Sequence, residues 1–343
     1  MISYGSIPRT CDRAKTYLYL KEWASTLFEF KNTKRKDATI RVLLYASINN
    51  DYVEGSAQLL HLCGQTVRNH LKNQDPARFL QVNQELVDEM KKKNALSKPL
   101  ILAIDWHDEM YYGDPTAEGV VGTMPKNGSC RAYRFATASV LLNGERLTLA
   151  VDPMLDKNLV GHVKHLLECV FELGVRVKLV LFDRGYYSTA LIRHLDSAGI
   201  KYVMHIPWHG APLKVGEDRI YMTSTHKRKV CEQAVFRLVT LKQKDKLLVF
   251  ATNTTLLPKR IGKTFRKRWG IETSYRMIGL FLAKTTSKLY GLRKLYFFLA
   301  VILYNLWVLR NFRRRLHVSV CALKHRVRFS LVLSVLLDLE DGG

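Results

Sequence analysis

The sequence predicts an α/β fold in which a mixed sheet, flanked by helices, follows an all-α N-terminal region. Through residues 15–95 the apolar positions recur at helical spacing. After Pro99 the pattern changes to short apolar runs of strand length, and these then alternate with helical segments. This order is typical of a mixed sheet joined to a separate helical region.

Two continuous apolar runs, residues 100–104 and 177–182, predict strands that are buried on both faces. The alternation and helical spacing of other segments predict strands at 132–141, 145–151 and 201–206, a hairpin turn at Asn143-Gly144, and helices at 157–173 and 188–198. Later segments predict strands at 219–223, 234–241 and 246–252, which form either a small β-rich insertion at about 207–255 or an extension of the sheet, and mostly helix at 256–315.

The helical N-terminal region contains a candidate helix-turn-helix at residues 55–72. Its second helix would present Gln65, Arg68 and Asn69, residue types that contact base edges or phosphates. A structural helical hairpin is the alternative. A charged run ends at Pro99, so the expected segments are a helical region at 1–97, an α/β domain at 98–315, and a basic and apolar tail at 316–343.

The net charge indicates the class of partner. The chain has 54 Lys and Arg against 30 Asp and Glu, a formal net charge of +24. Such a surplus repels itself, and nucleic acid is the usual compensating partner. An anionic membrane surface or an acidic protein partner remains the alternative.

The cysteines and the most apolar segment bear on the cellular compartment. The six cysteines form no CxxC pair and no zinc-like cluster, which predicts reduced, mostly buried thiols in a cytoplasmic protein. Residues 1–19 lack the apolar core of a signal peptide. Residues 295–309 are apolar but shorter than the ~20 residues that span a bilayer, and they contain Asn305. We therefore expect a buried core helix rather than a membrane span.

Two aspartates each come directly after a predicted buried strand. Asp105 begins Asp105-Trp-His-Asp-Glu-Met-Tyr-Tyr-Gly113, and Asp183 begins Asp183-Arg-Gly-Tyr-Tyr187. Strand ends of α/β sheets are where catalytic groups are commonly placed, although an Asp after a strand also often caps a turn. Gly185 would allow a sharp turn, and Arg184 could face a phosphate backbone.

A third acid stands alone. Glu272 is the only acidic residue between Asp245 and Asp338, in a stretch rich in Lys and Arg. It is either a salt-bridge partner of Arg268 or Arg276 at helical spacing, or a metal ligand within a surface that binds a polyanion.

These three carboxylates, taken together, predict a metal site for DNA cleavage. Hard oxygen ligands without Cys or His favour two Mg²⁺ ions, for which Mn²⁺ can substitute. Two such ions ~4 Å apart activate and stabilise an in-line phosphoryl transfer. The chain has no GxxxxGK[ST] motif, so no nucleotide cofactor is expected.

At these residues the chain resembles the DDE transposases of bacterial and archaeal insertion sequences, whose ribonuclease H-like core is shared with retroviral integrases. The resemblance covers roughly residues 99–315. It rests on the strand ending in Asp105, on Asp183-Arg-Gly-Tyr-Tyr, on Arg268-Trp-Gly-Ile-Glu272 and on the apolar helix with its Leu-Tyr-Asn-Leu-Trp ending.

One large group of these transposases shares a signature around the third acid: Tyr, two residues, Arg, three residues, Glu, six residues, Lys. Arg268 and Glu272 match it, whereas Phe265 stands at the tyrosine position and Gly279 at the lysine position. Three other cations are candidates for the missing lysine, namely Arg276, Lys284 and Lys288.

The resemblance implies an enzyme that binds the terminal inverted repeats of its element as a homodimer or larger complex. A metal-activated water would cleave at the element end, and the freed 3′-hydroxyl would attack target DNA. Asp105, Asp183 and Glu272 would hold the metals, and Arg184 and Arg268 would contact phosphate. Trp208 would either stack on a flipped base or serve in packing. A cytoplasmic, nucleoid-associated location would follow.

Competing functions remain open on the sequence. A nuclease would use the same metal chemistry without strand transfer, and a non-catalytic relative would only bind DNA. A membrane-associated basic protein is suggested by the apolar segment alone.

Overall fold

The computed structural model describes residues 12–30, 33–75, 78–92, 96–142, 145–227, 230–244, 246–314 and 318–328. By their internal contacts, residues Met1–Glu89 and Tyr275–Gly343 form one compact unit, and Met90–Ser274 form a second. The first unit therefore combines the two ends of the chain, whereas the sequence predicted three consecutive segments. Those predicted boundaries stay a prediction.

The helices, in chain order, are α1 (Asp12–Thr26), α2 (Thr33–Asn49), α3 (Val53–Leu59), α4 (Gly64–Leu71), α5 (Arg78–Lys91), α6 (Leu159–Glu172), α7 (Thr189–Ser197), α8 (Pro258–Phe265), α9 (Gly270–Gly279) and α10 (Tyr290–Arg314). The strands are β1 (Leu100–Met110), β2 (Val120–Lys126), β3 (Ser129–Leu142), β4 (Glu145–Pro153), β5 (Val177–Phe182), β6 (Tyr202–His205), β7 (Asp218–Lys227), β8 (Val230–Gln243) and β9 (Lys246–Thr252).

The first unit is helical, and α10 is its central apolar element. Every residue of α10 between 295 and 309 is buried, as expected of a helix that is apolar on all sides. Its polar Asn305 is satisfied, because the side-chain nitrogen donates to Asn83 Oδ1 at 3.1 Å. By length and composition Tyr290–Phe312 could cross a membrane, yet 89% of its apolar window is buried inside the protein. This matches the predicted core helix.

The C-terminal segment begins after α10. Residues 320–328 are helical, and Trp307 Nε1 of α10 donates to the carbonyl of Val318 at 2.6 Å. Residues 316–317 and 329–343 of the predicted tail lie outside the described residues.

The predicted helix pair is present as α3 and α4. His61, with a φ of 56°, supplies the left-handed turn between them, so the turn does not rely on a glycine. Gly64 is needed for another reason. A Cβ there would lie 3.0 Å from the Cα of Glu54, so glycine lets the start of α4 approach α3 closely. A DNA-reading role for this pair stays a prediction.

The second unit is built on one mixed sheet with helices against it. Its strand order is β2-β3-β1-β5-β6-β9-β8-β7, and β4 also pairs with β3. Strands β1, β5 and β6 are parallel, and the other pairings are antiparallel. The connections between the parallel strands run through α6 and α7, as parallel pairing requires. The predicted mixed α/β architecture is confirmed.

Two details of the sheet differ from the prediction. Strand β1 does not end before Asp105 but continues to Met110, because β3 pairs with it throughout that length. Strand β2 was not predicted; it contains Gly122 and Pro125 and pairs only with β3, which suits an edge strand. Strands β7, β8 and β9 continue the same sheet, which agrees with the second of the two possibilities that the sequence left open. The predicted turn at residues 143–144 lies outside the described residues.

The expected burial of the cysteines is largely wrong. Among the described residues Cys169 is buried, whereas Cys63, Cys130, Cys231 and Cys321 are exposed. All of these are free thiols, as predicted.

Replacing Phe182 with alanine tests the core beneath the strand ends. Phe182 is 0% exposed and its ring centroid lies 5.5 Å from that of Tyr186. We expect Phe182→Ala to lower the free energy of unfolding by about 3–5 kcal/mol, because it leaves a cavity. Urea denaturation measures this. Phe171→Ala, at a side chain 48% exposed, should stay within about 0.5 kcal/mol of the wild type; equal losses for both variants would contradict the packing described.

Candidate active site

The parallel register of the sheet places Asp105 and Asp183 side by side. Ile104 of β1 is paired with Phe182 of β5, and each aspartate is the next residue along its strand. Residues at the same level of neighbouring parallel strands point to the same face of the sheet. The carboxylates of Asp105 and Asp183 therefore lie close together on one face. The strands that carry these two aspartates are therefore neighbours in the sheet.

A third polar residue occupies the same level, and the sequence analysis missed it. Met204 of β6 is paired with Phe182, so His205, the last residue of β6, lies at the same level as Asp183. His205 Nδ1 lies 3.7 Å from Asp183 Oδ1, an electrostatic contact longer than a normal hydrogen bond. The signal was a polar residue at the end of a predicted strand, as for the aspartates.

Arg268 contacts both carboxylates. Its Nη1 donates to Asp105 Oδ2 at 2.9 Å, and its Nη2 lies 3.7 Å from Asp183 Oδ1. The side chain is only 4% exposed, while those of Asp105 and Asp183 are 14% and 36% exposed. Arg268 comes from the short 3-10 turn Arg266–Trp269 that follows α8. From the resemblance we expected this arginine to contact phosphate; in the structure it is a counter-ion of the two aspartates.

The electrostatics keep Asp183 ionised. Burial raises its pKa, but the contact with His205, the charge of Arg268 and the backbone N–H of Arg184 outweigh burial and lower the pKa to about 2. A second hydrogen bond serves Asp105, whose Oδ1 accepts from the backbone N–H of Trp106 at 2.9 Å. The site therefore presents anionic oxygens at neutral pH.

Glu272 lies on the first turn of α9, four residues after Arg268. Its side chain lies outside the described residues, so its place in the site stays a prediction. Within the described part of the chain, no group of three or more His, Cys, Asp or Glu side chains is arranged to hold a metal ion. Asp105 and Asp183 thus form a pair that needs a further ligand.

A packed cluster of two aromatic rings and an arginine lies beside the aspartates. The Trp106 ring packs against Tyr186 at 4.7 Å between centroids, and the Arg134 guanidinium lies 5.0 Å from the Trp106 ring. A Cβ on Gly185 would lie 2.3 Å from Trp106 Cη2. Glycine is therefore required at position 185 because the indole ring approaches closely, and not because the backbone makes a left-handed turn.

The other aspartate of the cluster after Asp105 is held within the sheet. Asp108 accepts from Arg134 Nε at 2.6 Å and Nη2 at 2.8 Å, and from the hydroxyl of Thr123. Burial raises the pKa of Asp108, but these hydrogen bonds outweigh it and leave the pKa lowered. Asp108 is therefore an anchor of β3 and β2 rather than a free ligand.

Two predicted DNA contacts in this unit differ in their surroundings. Arg184 is exposed directly beside Asp183. Trp208 is half-buried, donates from Nε1 to the carbonyl of Ala211 at 2.7 Å, and packs edge-on against Tyr221. This packing corresponds to the second of the two roles expected for Trp208.

The remaining predicted DNA contacts belong to the first unit. Arg68 donates to Glu54 at 2.7 Å and to Gln65 at 2.6 Å, so its guanidinium is engaged within the α3–α4 pair. Three others, Arg276, Lys284 and Lys288, are exposed.

Gly185→Ala tests the packing of the Trp106 ring against the turn after Asp183. The added methyl group has no room against the Trp106 ring, so we expect the turn after Asp183 to shift and the unfolding free energy to fall by about 1–3 kcal/mol. Near-ultraviolet circular dichroism should report a changed environment of Trp106. Gly291→Ala is the control, because nothing lies within 4 Å of a Cβ there; a Gly185→Ala protein as stable as this control would argue against the contact.

Comparisons with known proteins agree with this geometry. Residues 97–306 match the family model of the transposase DDE domain. No curated protein matches the chain.

Among solved structures, the piggyBac transposase in its synaptic complex with hairpin DNA is similar, with a TM-score of 0.57, 12% sequence identity, and coverage of 98% of this chain and 84% of that chain. Endonuclease V from Bacillus subtilis (13% identity; 73% of this chain and 98% of that chain; TM-score 0.23) and the Mos1 transposase paired-end complex (12% identity; 59% and 61%; TM-score 0.20) are too distant in structure to add to this. The fold is thus that of a ribonuclease H-like transposase core. The chain belongs to the family of transposases with a DDE catalytic domain.

Proposed function

We propose that this transposase cleaves DNA at the ends of its own element and joins the freed 3′-hydroxyl to target DNA, with Asp105, Asp183 and Glu272 as the catalytic carboxylates. The observation that carries the proposal is the pair of aspartates on adjacent parallel strands, which share one buried arginine. The acid at the right interval from that arginine, Glu272, lies on the helix that follows it.

The donor set suits divalent metal ions of the hard type. Asp105 and Asp183 offer carboxylate oxygens, and the bound guanidinium shows that the pair accepts a positive charge. Oxygen ligands favour Mg²⁺, with Mn²⁺ as a substitute. Such ions would supply activation of the attacking oxygen and stabilisation of charge on the phosphate. Glu272 would complete the ligand set.

Arg268 would have two roles in this scheme. Without metal, it compensates the charge of Asp105 and Asp183 from a buried position. Once those carboxylates are otherwise neutralised, the guanidinium becomes available to a phosphate, which it can bind through two parallel hydrogen bonds. Arg268 would then contact the two aspartates in the metal-free enzyme and a DNA phosphate in the metal-bound enzyme.

Double-stranded DNA is the proposed partner. The net charge of +24 favours a polyanion, and the similar piggyBac structure contains hairpin DNA. Within the N-terminal region 1–97, the exposed Gln65 and Asn69 of α4 would contact the terminal inverted repeats, with Arg68 held in place by Glu54.

The wider assembly follows from the same scheme. Arg184 would contact phosphate beside the catalytic domain's site. Arg276, Lys284 or Lys288 would replace the lysine missing from the signature. A homodimer would hold both ends of the element, and the protein would act in the cytoplasm on the nucleoid.

Two other functions use the same residues differently. A nuclease would cleave and not join, and a non-catalytic relative would bind DNA and not cleave. Strand-joining products distinguish the transposase from the first, and cleavage distinguishes it from the second.

Single substitutions of the three carboxylates test the site. We expect Asp105→Asn, Asp183→Asn and Glu272→Gln each to lower Mg²⁺-dependent cleavage and joining of the element's ends about 10³-fold or more, because several kcal/mol of transition-state stabilisation are lost. Gel assays with labelled end duplexes measure both steps. Glu168→Gln, at an exposed carboxylate paired only with Lys164, should keep wild-type rates. Full activity of Glu272→Gln would show that the third ligand is misassigned.

Replacing Arg268 tests its role as a counter-ion. In EDTA, Arg268→Gln should lower the free energy of unfolding by about 1–3 kcal/mol, because two adjacent carboxylates lose their compensating charge in a partly buried site. Saturating Mn²⁺ should recover most of this loss, since binding to the folded state stabilises it. Thermal melts with and without Mn²⁺ measure both effects. Arg193→Gln, exposed on α7, is the matched control, and an equal loss in both media would reduce Arg268 to a packing residue.

A further inference from the structure

The outer side of α8 and of the turn that follows it is a cationic surface. Ile261 and Phe265 face the sheet and are buried. The opposite side exposes a row of basic side chains, hereafter the α8 cationic face: Lys259, Arg260, Lys263, Arg266 and Lys267. Their intervals of one, three and four residues place them on one side of a helix.

Within the part of the chain that the structure describes, these charges have no compensating partner. None of the side chains in the α8 cationic face forms a hydrogen bond or ion pair with the residues that the structure describes. No acidic residue occurs between Asp245 and Glu272 to supply a local partner. Like charges this close repel one another, so the arrangement is suited to an external polyanion rather than to stability of the fold.

The α8 cationic face leads into the candidate active site. The ring of Phe265, at the end of α8, lies 5.9 Å from the ring of His205 and 4.9 Å from that of Phe250. Arg268 comes directly after Lys267 and turns inward to Asp105. A ligand lying along this face would therefore extend toward the catalytic aspartates.

We propose that the α8 cationic face binds the phosphate backbone of DNA next to the bond being cleaved, without reading its sequence. This rests on the proposed function of the site. From Lys259 to Lys267 the face is about 12 Å long, which corresponds to roughly three phosphates of one strand. Lysine and arginine contacts to phosphate position DNA but carry no base information.

DNA fits this surface better than a membrane does. A helix that lies in a membrane surface presents apolar side chains outward to the lipid. In α8 the apolar side chains Ile261 and Phe265 are directed into the protein, and only the cations face outward.

The test compares two triple variants of the full chain that remove equal charge. Lys263→Gln/Arg266→Gln/Lys267→Gln neutralises the end of the face nearest the site. The control, Lys178→Gln/Arg193→Gln/Lys201→Gln, neutralises three exposed cations away from the α8 cationic face. Lys178 and Lys201 lie at the amino ends of β5 and β6, opposite the candidate site. Fluorescence polarisation in EDTA, where cleavage is blocked, gives the binding constants over a salt series. The probes are a duplex with the terminal sequence of the encoding element and a scrambled duplex of equal composition.

We expect the salt dependence of DNA binding to weaken in the α8 triple variant and to stay unchanged in the control. The slope of log K against log salt should decrease by up to about 2.7, which is ~0.9 for each phosphate contact removed. Affinity at low salt should fall more than about tenfold on both duplexes, while the control keeps the wild-type slope.

Other outcomes would overturn the proposal. They are an unchanged slope, a loss limited to the element-end duplex, or lost association with phosphatidylserine vesicles together with unchanged DNA binding. The proposed function is tested independently, because cleavage by the carboxylate variants does not depend on these binding slopes. Active carboxylate variants would contradict the proposed function, whereas an unchanged slope would contradict only the role of the α8 cationic face.

Discussion

The arrangement of the second unit depends on one interaction, the pairing of buried Arg268 with Asp105 and Asp183. Two carboxylates at the same level of neighbouring strands repel each other, and burial adds a desolvation cost. The guanidinium offsets both, at 2.9 Å from one aspartate and 3.7 Å from the other. It also joins a residue from the turn after α8 to the centre of the sheet. The same charge balance prepares the aspartates for metal ions, because it holds the pKa of Asp183 at about 2 and pairs Asp105 with a cation.

The sheet register makes this pairing possible. Residues far apart in sequence reach one level only because β1, β5 and β6 run parallel and in step. The Trp106 ring then limits the path after Asp183, since it leaves no space for a side chain at position 185. Backbone pairing therefore brings the charged groups together, and aromatic packing fixes the turn that carries one of them.

The proposed DNA contacts divide by their chemistry. On α4, exposed amides such as Gln65 and Asn69 can distinguish bases. On the α8 cationic face, lysines and arginines can only follow a backbone. A transposase has to recognise its own ends and yet join to varied targets, and this division would serve both needs.

The sequence by itself determined the class of fold, the strands before Asp105 and Asp183, the apolar helix α10 and the family, because apolar periodicity and local motifs are encoded within short windows. Only the tertiary structure decided what those residues contact. It made Arg268 a counter-ion, placed His205 beside Asp183, extended β1 past Asp105 and assigned Gly185 to the Trp106 ring. These features depend on strand register and on contacts between distant segments, for which a single sequence holds no local signal.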